Sequence, residues 1–129
     1  MSWIKTSWID IIGTSLVKTT INASSSGNGE TATYIEMTIR AAITFGGSTP
    51  KGNAIINIYN IDRSDGGSNV ADTKPIITKV VKKELSSEVI ITMPNIKTLS
   101  LDYLKIEVVN KDVNDSIDVH VSVMGSYEA

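Results

Sequence analysis

A chain of 129 residues with no cysteine, one histidine and a formal net charge of −2 excludes several classes of function at once. Disulfide frameworks and thiolate chemistry are closed to it, no global field draws it to nucleic acid or anionic lipid, and a single histidine leaves little general acid–base equipment. The length suits one domain, which can bury about two-thirds of the surface its unfolded chain exposes.

The N-terminal tract MSWIKTSWIDIIGTS carries both tryptophans, Trp3 and Trp8, with Ile4, Ile9, Ile11 and Ile12 around them. Lys5 and Asp10 interrupt it, so it lacks the apolar core of a signal peptide. No apolar run approaches the ~20 residues of a membrane span. The chain therefore reads as a soluble protein made in a cytoplasm, and the sequons at Asn22 and Asn114 as incidental. Ile4, Trp8, Ile11 and Ile12 suit one face of a helix and equally an extended arm with scattered anchors; residues 1–13 are set apart as an arm or a first strand, and residues 14–129 read as one sandwich domain.

A period of two dominates the rest of the chain. A strand is expected at 15–22, then a turn at Ser24-Ser-Ser-Gly-Asn-Gly29. Met37, Ile39, Ala41, Ile43 and Phe45 alternate with Glu36, Thr38, Arg40, Ala42 and Thr44, the pattern of a strand buried on one face. Gly46–Pro50 turns the chain. Ala54–Ile61 is apolar on both faces, as in a central strand or one whose second face is covered. Ser64–Asn69 is another turn. Strands are expected at 75–83 and 88–93, with Pro75 opening one and Pro94 closing the other, because proline cannot donate to a ladder. Leu104, Ile106 and Val108 alternate with Lys105, Glu107 and Val109, and after a polar turn at 110–115 Ile117, Val119, Val121 and Val123 alternate with Asp118, His120 and Ser122. About eight short antiparallel strands predict an all-β fold, a jelly-roll-like β-sandwich. Its expected core is Met37, Ile39, Ile43, Phe45, Ile56, Ile58, Leu104, Ile106, Val119 and Val121.

Three groups invite a chemical reading. Asp118, His120 and Ser122 share a strand face and are the residue types of an acyl-transfer triad. A flat strand supplies neither an exposed nucleophile turn nor an oxyanion hole, so a solvated face is the expectation. Asp62, Asp65, Asn69 and Asp72 could offer oxygens to Ca²⁺, but their spacing is not that of an EF-hand, and Asp and Gly are ordinary turn residues. Lys79, Lys82 and Lys83 read as a solvated strand end rather than a phosphate track. No catalytic residue, cofactor site or metal site is assigned.

The segments Asn57-Ile-Tyr-Asn-Ile-Asp-Arg-Ser-Asp-Gly66, Met93-Pro94, Asp102-Tyr-Leu-Lys-Ile-Glu-Val-Val-Asn110 and Ile117-Asp-Val-His-Val-Ser-Val123 give a rhythm of strand, Asp-Gly turn, proline, tyrosine-containing strand and final alternating strand. Over residues 30–124 this rhythm resembles small virion structural proteins of tailed bacteriophages, of the head-decoration or head-fibre type. The resemblance implies a non-enzymatic particle component made in a bacterial host cytoplasm. Its implied partners are a major capsid protein or other virion protein and further copies of itself, with a trimer favoured. Surfaces would carry that function. Trp3, Ile4, Trp8 and Ile11 are the expected contacts of the arm, because tryptophan is enriched at interface hot spots. Ile55, Tyr59 and Ile61 are the expected contacts of the covered strand face. The alternative is a carbohydrate-binding β-sandwich of a fibre or host-facing appendage, although the seven aromatic residues are scattered.

Overall fold

The computed structural model describes residues 3–12, 16–46, 52–62, 70–83, 88–98 and 103–128. The strands among them are β1 (Trp3–Lys5), β2 (Ile9–Asp10), β3 (Thr19–Ile21), β4 (Ser26–Glu30), β5 (Glu36–Phe45), β6 (Ala54–Asp62), β7 (Val70–Ala71), β8 (Ile77–Val81), β9 (Glu88–Lys97), β10 (Tyr103–Asn110) and β11 (Ile117–Glu128).

They form two antiparallel sheets. In one, β11 pairs with β5 and β5 with β9, while β1, β2 and β3 lie end to end along the free side of β11. In the other, β4 pairs with β10 and β10 with β6, while β7 and β8 share the far side of β6. Among the described residues each sheet is thus four strand positions wide, and the strands exceed the eight or so expected because short edge strands share one long neighbour.

The ten expected core residues are all buried, alternately inward along β5, β6, β10 and β11. One apolar cluster joins the two inner faces, and Ile11, Leu16 and Ile21 from the N-terminal part belong to it. The segment before Gly13 therefore runs along the edge of a sheet and contributes Ile11 to the core.

Three local expectations are corrected. The Ser24–Gly29 tract is a turn only at its start; residues 26–30 are β4, which pairs with β10 from Ser26↔Val109 to Glu30↔Lys105. Gly27 and Gly29 face inward and bring no side chain. A Cβ on Gly29 would stand 2.4 Å from Ile11 Cδ1, so the glycine makes the room that Ile11 fills. Of the strand expected at 15–22, Thr19–Ile21 is the strand among the described residues; the Leu16 carbonyl accepts one backbone hydrogen bond from Val121, and Lys18 between them adopts a positive φ of 49°. Pro94 does not end its strand. Met37 faces Ile96 while Ile39 faces Met93, so Pro94 and Asn95 together oppose Thr38 in a bulge. Asn95 takes φ 59°, a left-handed conformation asparagine tolerates, and the bulge is where a strand can place a proline.

Candidate functional site

The outer face of the five-stranded sheet is a grid set by the registers of β4, β10, β6 and β8. Asn28, Glu107, Asn57 and Thr78 form one row across all four strands. On one side of it Glu30, Lys105 and Tyr59 form the next row, and on the other Ser26, Val109, Ile55 and Val80. At ~4.8 Å between strands such a row is about 14 Å long. An all-polar row is thus bordered by an aromatic ring on one side and by branched aliphatic side chains on the other.

Hydrogen bonds hold the polar row in place. The Thr78 hydroxyl donates to Asn57 Oδ1 at 2.9 Å, and Asn57 Nδ2 donates to Glu107 Oε1 at 3.1 Å. The Tyr59 hydroxyl donates to the same Oε1 at 3.3 Å. Glu107 Oε2 has no hydrogen-bond partner among the described residues. Partial burial, with the Glu107 charge and hydrogen bond added, pushes the Tyr59 phenol above its ordinary value, so it remains a donor. Lys105 Nζ stands 5.4 Å from the centroid of the Tyr59 ring, a cation–π contact that orients both side chains.

Of the residues expected on this face, Ile55 and Tyr59 are half-buried and available, whereas Ile61, on the same face by alternation and outside the apolar cluster between the sheets, is covered to 1% exposure and is not available to a partner. Asn57, Lys105, Thr78 and Glu107 do not stand out in the sequence. Asn57 and Tyr59 are two apart on one strand and so share a face. Joining them to Glu107 requires the β6–β10 register, which no local pattern specifies.

The N-terminal residues divide. Ile4 and Trp8 are 39% and 44% exposed on the edge beside β11, while Ile11 is buried at 4% and packs into the space left by the inward Gly29, so it is not presented to a partner. Trp3 pairs with Glu128 through the backbone, and its side chain lies outside the described residues.

The Asp118, His120 and Ser122 face forms no triad. His120 Nε2 lies 2.6 Å from Asp10 Oδ1, Asp118 Oδ1 accepts from the Thr20 hydroxyl at 2.6 Å, and Ser122 is buried. Each acid is thus engaged across the strand pairing with β2 or β3. Of the suggested calcium loop, Asp65 and Asn69 lie outside the described residues, as does the side chain of Asp62, and Asp72 is exposed. Lys79 and Lys82 are exposed as expected, but Lys83 is not part of a solvated strand end. Its ammonium is buried against Asp112 at 2.6 Å and Asp115 at 3.3 Å. Asp112 Oδ1 also accepts from the backbone of Asn114 and Asp115, and the Asn110 amide donates to the carbonyls of Ile21, Asn22 and Asp115. This network ties the β10–β11 turn to the ends of β3 and β8.

No protein-family model matches the chain, and a search of curated proteins returned no match. Among solved structures, the xylan-binding module CBM15 aligns at a TM-score of 0.51 with 10% identity, over 96% of this chain and 95% of that one. TmCBM61, solved in complex with β-1,4-galactotriose, aligns at 0.46 with 10% identity, over 85% of this chain and 69% of that one. The first likeness, at so low an identity, concerns the fold: this chain is an antiparallel, jelly-roll-like β-sandwich.

Proposed function

We propose that this chain is a non-catalytic carbohydrate-binding β-sandwich, and that a neutral oligosaccharide lies on the outer face of its five-stranded sheet. The observation that carries the reading is the Tyr59 ring beside the row Asn28, Glu107, Asn57 and Thr78. A pyranose has an apolar face of C–H groups and a rim of hydroxyls. An aromatic ring suits the first and planar carboxylate and amide groups suit the second. Glu107 Oε2 accepts from a sugar hydroxyl, Lys105 donates to one, and the aliphatic row of Val109, Ile55 and Val80 excludes water from the far side. Because Thr78, Asn57, Tyr59 and Glu107 are already fixed by one another, little side-chain freedom is lost on binding.

The shared fold with a module described as xylan-binding supports the class of ligand and leaves the particular glycan open. It also fits a protein that works by its surface without chemistry. Placement on a virion, in a fibre or host-facing appendage, rests on the sequence rhythm alone.

Affinity electrophoresis through gels containing soluble plant, bacterial and host glycans, together with a glycan microarray, tests the reading. At least one neutral polysaccharide should retard the protein. Tyr59→Ala should weaken that binding tenfold or more, equivalent to about 1.4 kcal/mol, while His120→Ala on the opposite sheet leaves it unchanged. Binding that survives Tyr59→Ala undiminished, or no glycan bound at all, would overturn it.

A further inference from the structure

A separate cavity of about 370 Å³ opens at the end of the six-stranded sheet, lined among the described residues by Ile35, Glu36, Lys97 and Ser126. It lies where β5 begins and where β9 and β11 end, and its volume falls within the ~300–1,000 Å³ of small-molecule sites. Glu36 and Lys97 are directly opposite across the β5–β9 pairing, and Ser126 is opposite Glu36 on the other side. Opposite charges so placed ordinarily close on each other. Here they do not: neither the Glu36 carboxylate nor the Lys97 ammonium makes an ion pair or side-chain hydrogen bond among the described residues.

The wall they share with Ile35 is fixed. The Ile35 N–H donates to the Ser126 carbonyl at 2.9 Å, its carbonyl accepts from the Thr98 N–H at 3.1 Å, and the Thr98 hydroxyl donates to the Tyr34 carbonyl. Beneath it the buried Tyr34 ring rests on Gly125, where a Cβ would stand 2.4 Å from Tyr34 Cγ. Ile35 itself is 39% exposed, an aliphatic group presented at the cavity rather than packed inside.

We infer that this cavity binds a small zwitterion of amino-acid type. The ligand ammonium meets Glu36, its carboxylate meets Lys97 and the Ser126 hydroxyl, and its aliphatic side chain lies on Ile35. Such a ligand brings an opposite charge to each of the two unpaired groups and adds ion pairing to the hydrogen bond, whereas a neutral hydroxyl brings the hydrogen bond alone. The site is distinct from the Tyr59 face, which belongs to the other sheet, and stands or falls independently of it.

Titration of the ¹⁵N-labelled protein with L-leucine, N-acetyl-L-leucine, L-leucine methyl ester and xylose tests the assignment. L-Leucine should shift the amide resonances of Ile35, Glu36, Lys97 and Ser126 saturably. Blocking either charge of the ligand should weaken binding at least tenfold, and Glu36→Gln and Lys97→Met should do the same in a protein whose circular dichroism is unchanged. The blocked ligands probe the charge pairing without altering the protein. Absence of saturable shifts, equal binding of N-acetyl-L-leucine, or saturation of these resonances by xylose instead would overturn the inference.

Discussion

Ile11 and Gly29 fill one space between them, and neither is intelligible without the other. The sequence marks Ile11 as one of several apolar residues near the N-terminus, and marks Gly27-Asn-Gly29 as a turn. The register then makes those glycines the inward positions of β4, and Ile11 supplies the missing volume. Ile11→Ala should cost ~2–5 kcal/mol in urea unfolding, as for other buried aliphatic truncations. Gly29→Ala should cost ~1–3 kcal/mol by overpacking, and less in the Ile11→Ala background, because the two residues contend for the same volume. Additive effects would show that Ile11 does not occupy that space. Lys83 escapes a sequence reading for a related reason: three lysines in five residues look alike in sequence, and only the β10–β11 turn distinguishes the one that is buried. Its hydrogen bond is the largest influence on Asp112, whose carboxyl is held at about 2 against an ordinary 3.8. A depressed folded-state value means that the contribution to stability is present above pH 3.8 and is lost as pH falls toward 2. The Lys83 ammonium is shifted upward, chiefly by the same hydrogen bond, so its share is present below 10.5 and lost above it. Melting temperature measured from pH 5 to 2 should fall for the parent. Asp112→Asn should melt lower throughout and lose this part of the acid slope; an unchanged slope would contradict the assignment.

At the scale of elements, β9 shows how a proline can sit within a strand. Reading Pro94 as a terminator rests on its missing N–H, and that chemistry still governs the position: the chain bulges there instead of pairing regularly. Asn95, with its positive φ, absorbs the extra residue. Asn95→Gly should leave stability within ~0.5 kcal/mol, since glycine adopts that conformation freely. Asn95→Val should cost ~1–2 kcal/mol, the penalty for a left-handed side-chain-bearing residue. If urea unfolding does not separate the two variants, the bulge is not strained in this way. The long strands β5, β10 and β11 are legible in the sequence because apolar and polar residues alternate along them, and β6 because an apolar run with both faces covered reads as a central strand. The short edge strands are not. β1, β2, β3 and β7 each have two or three residues, too few to carry a period, and their positions are fixed by the long neighbour they lie against.

For the molecule as a whole, composition and periodicity lead to the sandwich, because a chain of about eight short strands must bury their apolar faces against one another. They do not lead to the site. Asn57, Tyr59, Glu107 and Thr78 come from three strands, and at sequence level each is an ordinary outward residue; only the cross-strand register makes a row of them. Reading Ile55 and Tyr59 as a contact surface points to this face but leaves out the polar groups that give it a chemical character. A glycan site on that face is tested most directly by mapping amide chemical shifts of the labelled protein during titration with a retarding oligosaccharide. Saturable shifts should centre on Asn57, Tyr59, Thr78, Lys105 and Glu107, with Arg40, Thr92 and His120 on the opposite sheet unmoved. Shifts centred on Arg40, Thr92 and His120, with the Tyr59 row silent, would contradict it.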